Sequence, residues 1–210
     1  MQPTIIGVLG KPLSGKDTVI KAIRESDPSV AVISFGTILS EVKVLKESHR
    51  FWPMLKDAVS IAESGGIVPG DPINACMGQL ITEAMYAGKT RIVWSAGPRN
   101  EEELHWLDAF SKQHNLKEQF LYVDVPDEEV YRRRNGRNEG RLDDREEVVP
   151  VRLKNFEEIT KPVIDRLRKE GRLTEISGIG SKETIASRAI EALDLKLRDP
   201  EITLPPMARR

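Results

Sequence analysis

The feature that most constrains the fold is a glycine-rich turn, GKPLSGKDT, which joins an apolar run to a helical pattern near the start of the chain. The turn spans Gly10 to Thr18 and follows the run TIIGVL. A glycine, four residues and then Gly-Lys form the pattern of a phosphate-binding loop, because glycine lets successive N–H groups turn inward. Lys16 begins the helical pattern, where its charge adds to the unpaired N–H groups of the first turn. The strand-loop-helix context therefore predicts a nucleotide phosphate site rather than a glycine-rich surface turn.

The residue after Lys16 departs from this pattern. It is Asp17, where Ser or Thr is usual, and Thr18 follows one position late. The usual hydroxyl binds Mg²⁺, whereas a carboxylate repels phosphate but attracts Mg²⁺. Two interpretations of Asp17 therefore stay open: a magnesium ligand, and a first-turn acid that stabilises the helix.

Apolar runs rich in β-branched residues alternate with helical patterns along the chain. The predicted strands are Thr4–Leu9, Val30–Ser34, Arg91–Trp94, Phe120–Val125 and Leu173–Ser177. Such alternation is typical of βαβ crossovers, which cover both faces of a parallel sheet with helices. The pattern predicts an α/β fold with a five-stranded parallel sheet in three layers. A helical pattern over about 145–169 contains Pro162, which predicts a break there.

The composition excludes several functional classes. Of the 210 residues, 39% are hydrophobic and 31% are charged, so the chain can bury a core. The formal net charge of −1 provides no global positive field that would attract nucleic acid or an anionic membrane. The single cysteine, Cys76, excludes a disulfide framework and suits a reducing compartment. With no signal-peptide pattern and no run of membrane-spanning length, we expect a cytoplasmic protein that binds neither nucleic acid nor membrane.

Two stretches depart from the alternation. The segment between the second and third predicted strands is too long for one crossover, so we expect an inserted helical lobe over residues 36–66. Residues 132–145, RRRNGRNEGRLDDR, are dense in arginine, and Arg99 lies at a predicted strand end. Guanidinium groups bind phosphate oxygens bidentately. An arginine run alone favours a solvated surface, but beside a phosphate loop it predicts a segment that covers an active site.

Taken in order, these segments resemble the adenylate kinase family of nucleoside monophosphate kinases over most of the chain. GKPLSGKDT resembles the glycine-rich loop of that family, and ISFGTILS (33–40), GGIVPGD (65–71) and SAGPR (95–99) resemble its acceptor-lobe and strand-end segments. YVDVPDEEV with the following GRLDD and RLKNF resembles the lid and the helix after it, and ISGIGSKETI (176–185) resembles the closing strand and the donor-adenine loop. Only the first motif is specific by itself, and the shared order and spacing carry the resemblance.

The resemblance implies a role for each matching residue. Lys16 would hold the donor β- and γ-phosphates, and Arg99 would hold the acceptor phosphate. The implied catalytic residues are Lys16, Arg99, Arg141 and Arg152. The implied ATP-binding residues are Gly10, Leu13, Ser14, Gly15, Lys16, Asp17, Thr18, Arg137 and Gly180. The implied residues for binding the nucleoside monophosphate are Phe35, Gly36, Ser40, Val68, Arg99 and Glu103.

The departures from the family pattern lie mainly on the acceptor side. Ser40 stands where the family has an arginine, Ser95 where it has an aspartate, and Glu103 where adenylate kinases have a glutamine that reads the acceptor base. We hypothesise that Asp17 replaces the acid missing at Ser95. Glu103 either accepts hydrogen bonds from an amino-bearing base or is a first-turn helix acid, and both interpretations stay open.

The resemblance also implies a domain organisation and an activity. A single kinase domain with the P-loop NTPase fold would span residues 1–194, with a core of 1–35, 67–131 and 145–194, an acceptor lobe of 36–66 and a short lid of 132–144, before a tail of 195–210. The implied reaction is reversible, Mg²⁺-dependent transfer of the ATP γ-phosphoryl group to a nucleoside monophosphate, AMP first, by a monomer. Two alternatives stay open: a kinase for another small acceptor (UMP or CMP, a deoxynucleotide or a non-nucleotide), and a catalytically weakened nucleotide-binding regulator.

Overall fold

The structure is a computed structural model that describes residues 2–27, 29–136 and 148–194. Within these ranges five strands form one sheet in the order β2-β3-β1-β4-β5, and every neighbouring pair is parallel. The strands are β1 (Thr4–Gly10), β2 (Val30–Ser34), β3 (Arg91–Ser95), β4 (Lys117–Asp124) and β5 (Leu173–Ser177). This order confirms the predicted α/β fold. Since β1 is central and the chain passes from β3 to β4 across it, the carboxyl end of β1 lies at the switch point where open parallel sheets bind ligands.

The helices cover both faces of the sheet. In chain order they are α1 (Lys16–Ser26), α2 (Phe35–Leu45), α3 (Trp52–Glu63), α4 (Gly70–Tyr86), α5 (Glu101–Gln113), α6 (Asp127–Asn135), α7 (Val148–Asn155), α8 (Lys161–Lys169) and α9 (Lys182–Ala192). A short 3₁₀ turn, Lys46–Ser48, follows α2. Among the described residues, no helix is both long and apolar enough to cross a lipid bilayer.

The alternation of side chains along β1 separates two hydrophobic cores. Ile5 and Leu9 face the larger core, which is formed with α4, α5 and α8. Ile6 and Val8 face the smaller core, which is formed with α1 and α9. Both sets are almost completely buried, as expected for a parallel strand with helices on each side. The sheet is therefore the middle layer of three, and the larger core also contains Cys76 of α4.

Three segments relate to predicted boundaries. The long connection between β2 and β3 contains α2, α3 and α4. The break expected near Pro162 is present as a π-helical turn, Phe156–Thr160, between α7 and α8. Helix α6 continues to Asn135, so the first residues of the predicted lid are helical. The lid arginines Arg137 and Arg141 and the tail over 195–210 lie outside the described residues.

Candidate active site

The glycine-rich turn forms a loop between the end of β1 and the start of α1. Gly15 is the N-cap of α1, and its φ of +101° lies in the left-handed region that glycine enters freely. Gly15 itself makes no side-chain cap hydrogen bond to this helix end. The first-turn N–H groups, which have no acceptor within the helix, and the helix dipole make this end a site for anions.

The side chain of Lys16 folds back over this loop. Its Nζ donates hydrogen bonds to the carbonyl oxygens of Gly10 at 2.8 Å and Lys11 at 2.5 Å, and to Oγ of the buried Ser14 at 3.3 Å. Burial and, to a smaller extent, the charge of Arg152 lower the pKa of Lys16 to about 7, and the charge of Asp17 partly opposes this shift. A negatively charged ligand beside this group would stabilise its protonated form.

Arg152 lies between the phosphate loop and the end of the inserted segment. It belongs to α7, and its charge acts on Lys16. A Cβ placed on Gly65 would lie 3.2 Å from Arg152 Cγ, so the stem of the arginine packs closely against that backbone. Asn155, on the same helix, donates from Nδ2 to the carbonyl oxygen of Gly65 at 2.8 Å. Helix α7 thus connects the two regions that the sequence assigns to donor and acceptor.

Arg99 and Phe35 come together at the other side of the site. Arg99 follows β3, and its guanidinium carbon lies 5.9 Å from the ring centroid of Phe35, the first residue of α2. This distance suits a cation–π contact. The backbone N–H of Arg99 donates to Oε2 of Glu103 at 2.8 Å. Arg99 and Phe35, two residues predicted to bind the acceptor, are therefore adjacent. A third, Glu103, accepts a hydrogen bond from the backbone of Arg99.

The structure favours the helix-acid interpretation of Glu103. Its carboxylate is fully buried and accepts from the Arg99 N–H and, at 3.4 Å, from Nδ2 of Asn100. The Glu103 N–H in turn donates to Oδ1 of Asn100, the N-cap of α5, at 2.8 Å, so both side chains satisfy polar groups at the start of this helix. Burial raises the pKa of Glu103, and the charge of Arg99 and its N–H partly oppose that rise.

The other predicted acceptor residues differ in what they offer a ligand. Oγ of Ser40 donates to the carbonyl oxygen of Gly36 at 2.9 Å, within their own helix. Gly36 itself faces open space, since no atom beyond its chain neighbours and its own helix backbone lies within 4 Å of the place where a Cβ would be. The side chain of Val68 is only 1% exposed and belongs to the larger core.

Sequence reasoning missed Arg133, which it grouped with the lid arginines. Arg133 lies on α6 and donates from Nη1 to the carbonyl oxygen of Leu13 at 3.0 Å and from Nη2 to that of Gly178 at 2.5 Å. Its Nε donates to Oε1 of Glu129 at 2.6 Å. Hydrogen bonds from Arg132 and then Arg133 lower the pKa of Glu129 to about 2. The i, i+4 spacing of Glu129 and Arg133 was the available signal.

Two other predicted positions lie next to the phosphate loop. Gly180 has a φ of +126° and belongs to the turn after β5. In that turn, a Cβ on Gly178 would lie 2.7 Å from the carbonyl oxygen of Ser14, so the two loops are in close contact. Thr18 and Asp17 occupy the first turn of α1, with the Asp17 side chain exposed.

The described residues contain no cluster of three or more His, Cys, Asp or Glu side chains that could hold a metal ion without help. A Mg²⁺ ion at this site would therefore depend on ligand oxygens. Asp17 and Thr18 provide oxygen donors beside the loop, and Mg²⁺ commonly binds through one or two carboxylates together with substrate phosphates. The donor set fits an ion held mainly by a nucleotide.

Comparison with known proteins agrees with this geometry. Residues 9–149 match the family described as AAA domain. The chain is 33% identical over 187 residues to UMP-CMP kinase 2 of Oryza sativa subsp. japonica, a match that covers 88% of this chain and 71% of the relative. It is 31% identical over 193 residues to UMP-CMP kinase 3 of Arabidopsis thaliana, covering 91% and 86%. It is 30% identical over 188 residues to the adenylate kinase of Leptospira biflexa serovar Patoc (strain Patoc 1 / Ames), covering 88% and 97%.

Proposed function

Because the chain belongs to the adenylate kinase family of nucleoside monophosphate kinases, we propose that it reversibly transfers the γ-phosphoryl group of ATP to a nucleoside monophosphate, with AMP as the preferred acceptor. An oxygen of the acceptor phosphate forms the new bond to the γ-phosphorus, and the bond to the β–γ bridging oxygen breaks. The products are ADP and a nucleoside diphosphate. No covalent enzyme intermediate is needed.

The observation that carries this proposal is the placement of positive charge on two sides of one loop. Lys16 lies in the loop, Arg152 is close enough to lower its pKa, and Arg99 follows the adjacent strand β3. Phosphoryl transfer depends mainly on positioning and on stabilising the charge of several phosphates. Lys16 and the first turn of α1 bind the donor phosphates, Arg99 binds the acceptor phosphate, and Arg152 lies between them.

Magnesium would add charge neutralisation at the β- and γ-phosphates when it is bound. We assign Asp17 and Thr18 as the residues nearest to that ion, with Asp17 in place of the acid that is missing at Ser95. Asp17 is exposed in the first turn of α1 beside Lys16. This placement supports a water-mediated or direct contact to a phosphate-bound ion.

A second acceptor class, UMP and CMP, is favoured by a separate observation. The chain is 33% and 31% identical to two proteins named as UMP-CMP kinases, against 30% to one named as an adenylate kinase. The Glu103 carboxylate already accepts hydrogen bonds from Arg99 and Asn100, so in this proposal other groups recognise the base. The two acceptors are alternatives for one reaction at one site.

The test is a turnover assay with ATP and a panel of nucleoside and deoxynucleoside monophosphates. We expect the highest kcat/KM with AMP and a fall of about 100-fold or more in Lys16→Met, which removes the charge at the loop. Lys21→Met is the matched control, because that lysine lies on the same helix with its side chain 76% exposed. ATP binding without transfer to any monophosphate would instead identify a regulator, and transfer only to a non-nucleotide would identify a different kinase.

A further inference from the structure

Leu13 adopts an unusual backbone conformation at the centre of the phosphate loop. Its φ is +59°, in the left-handed region that leucine rarely enters because its Cβ crowds the following carbonyl oxygen. Such a conformation persists only when the surrounding structure holds it, and it often occurs at a ligand site. The contacts of Leu13 therefore show what holds this loop.

The side chain of Leu13 packs into a small cluster that is separate from both main cores. Its buried members are Val125, Val130, Val149 and Leu153. Val125 follows β4, Val130 belongs to α6, and the other two belong to α7. The loop is thus attached through one side chain to the two helices α6 and α7.

The main chain of Leu13 is held from the same side. Its carbonyl oxygen accepts from Nη1 of Arg133 on α6 at 3.0 Å. That guanidinium group is itself fixed by Gly178 and Glu129 and is largely buried, with 18% of its side chain exposed. Both the side chain and the carbonyl group of Leu13 are therefore fixed by elements outside the loop.

We propose that Leu13 is a positioning residue for the donor phosphates: its attachment to α6 and α7 holds the loop in its phosphate-binding shape before the nucleotide arrives. A loop that is already ordered loses less conformational entropy when the ligand binds, so affinity rises without a new contact. This inference rests on the proposed function only in taking ATP as the donor. It concerns binding and not transfer.

The experiment compares ATP and AMP affinities, by calorimetry, among variants of the intact chain. Leu13→Ala keeps the left-handed backbone but removes the packing, and we expect its Kd for ATP to rise about 5- to 10-fold with the Kd for AMP unchanged. Leu13→Met restores the packing volume and should bring the Kd for ATP back to within about twofold. Amide hydrogen exchange of residues 13–16 should be faster in ligand-free Leu13→Ala than in the parent protein.

Leu167→Ala is the matched control, because this leucine is fully buried in the larger core on α8. It should lower the melting temperature and leave both Kd values unchanged. If Leu13→Ala does not fold, Val149→Ala weakens the same attachment from α7 and should raise the Kd for ATP about 2- to 3-fold.

The proposal is overturned if Leu13→Ala, or Val149→Ala in its place, binds ATP as tightly as the parent protein. It is also overturned if ATP and AMP affinities fall equally, since that would indicate a general structural defect, or if Leu13→Met fails to restore ATP binding. Calorimetry measures binding without turnover, so the test of Leu13 does not depend on catalysis. If the protein transferred no phosphoryl group, the proposed function would be contradicted, but the Kd values would still test the role of Leu13.

Discussion

At the scale of single residues, Lys16 carries the clearest physical consequence. Its half-buried ammonium group donates to two carbonyl oxygens with Arg152 nearby, and its pKa is lowered to about 7. A bound polyphosphate places negative charge beside this ammonium group, so we expect the pKa of Lys16 to rise when ATP binds. We expect ATP binding at pH 8 to take up protons, approaching about one per site, as measured by calorimetry in two buffers with different ionisation enthalpies. Proton uptake that persists in Lys16→Met would contradict this assignment.

The same lysine gives the ligand-free protein a pH-dependent stability. The unfolded chain holds this proton with the ordinary lysine pKa of 10.5, whereas the folded chain releases it near 7. Between these values the unfolded state binds more protons, so the free energy of unfolding rises with pH over that window. The free energy of unfolding can be measured by denaturant titration at a series of pH values. Plotted against pH, it should rise more steeply for the parent protein than for Lys16→Met within this window, and the two curves should run parallel below about pH 6.

Asp17 is the residue for which the sequence left two roles open. If the Asp17 carboxylate contacts the bound Mg²⁺, Asp17→Asn should raise the Mg²⁺ concentration needed for half-maximal ATP affinity by about tenfold. This figure corresponds to the loss of one charge-assisted contact. ATP affinity without Mg²⁺ should rise in the same variant, because a carboxylate beside phosphate is lost. Calorimetry at several Mg²⁺ concentrations measures both. Equal affinities at every concentration would leave Asp17 as a first-turn helix acid alone.

Variants of Glu103 test whether its carboxylate recognises the acceptor base or only supports the backbone of Arg99. Glu103→Gln keeps an acceptor for the Arg99 N–H, so we expect the ratio of kcat/KM for AMP and UMP to stay within about twofold. Glu103→Ala leaves that N–H without its acceptor and should cost about 1–3 kcal/mol of stability and reduce kcat/KM for every base alike. A selective change in base preference would show that Glu103 reads the base after all.

The pH dependence of stability provides a second measurement on Glu103. Its pKa is raised in the folded state by burial. The folded chain then binds more protons than the unfolded chain above the ordinary pKa of 4.5, and stability falls as pH rises through the raised value. Glu103→Gln should remove that fall and be at least as stable as the parent protein at neutral pH.

At the scale of the elements, Arg172 links the turn between α8 and β5 to α5 and β4. From the turn before β5 it donates to Asp108 of α5 at 2.5 Å, to Glu170 after α8 at 2.9 Å, and to Glu118 of β4. Its guanidinium carbon also lies 5.2 Å from the centroid of the Phe120 ring. Three carboxylates share this one guanidinium group. Removing it would leave their negative charges close together without a shared cation, and their repulsion would destabilise the fold.

Arg172→Met should therefore destabilise the protein by about 2 kcal/mol, less than for a fully buried pair because 27% of the side chain is exposed. For a chain of this size, that corresponds to a fall of about 4–8 °C in Tm. Arg50→Met is the control: its bidentate pair with Glu83 is 49% and 45% exposed and should contribute less than about 1 kcal/mol. Calorimetric melting would contradict the prediction if the two variants lost equal stability.

At the scale of the whole molecule, the sequence was most informative where structure is determined locally. The strands alternate with helices as their apolar runs predict, and the break near Pro162 follows from its missing N–H. The loop around Lys16 was predictable because a short spacing of glycines defines it. Contacts between distant segments were not predictable: Arg133 reaches Leu13 across 120 positions, and no local pattern indicates that Leu13 has a positive φ.

The burial of Cys76 makes the protein's single thiol a chemical reporter of unfolding. Its side chain is inaccessible in the larger core, and burial raises the pKa of the thiol to about 12. Since only an accessible thiolate reacts quickly, we expect a maleimide dye to modify the native protein only through rare openings of α4, at a rate that urea increases. Val44→Cys, at a position that is 78% exposed, should react at once with one equivalent. Fluorescent probes can therefore be placed at chosen surface positions without first removing the native cysteine.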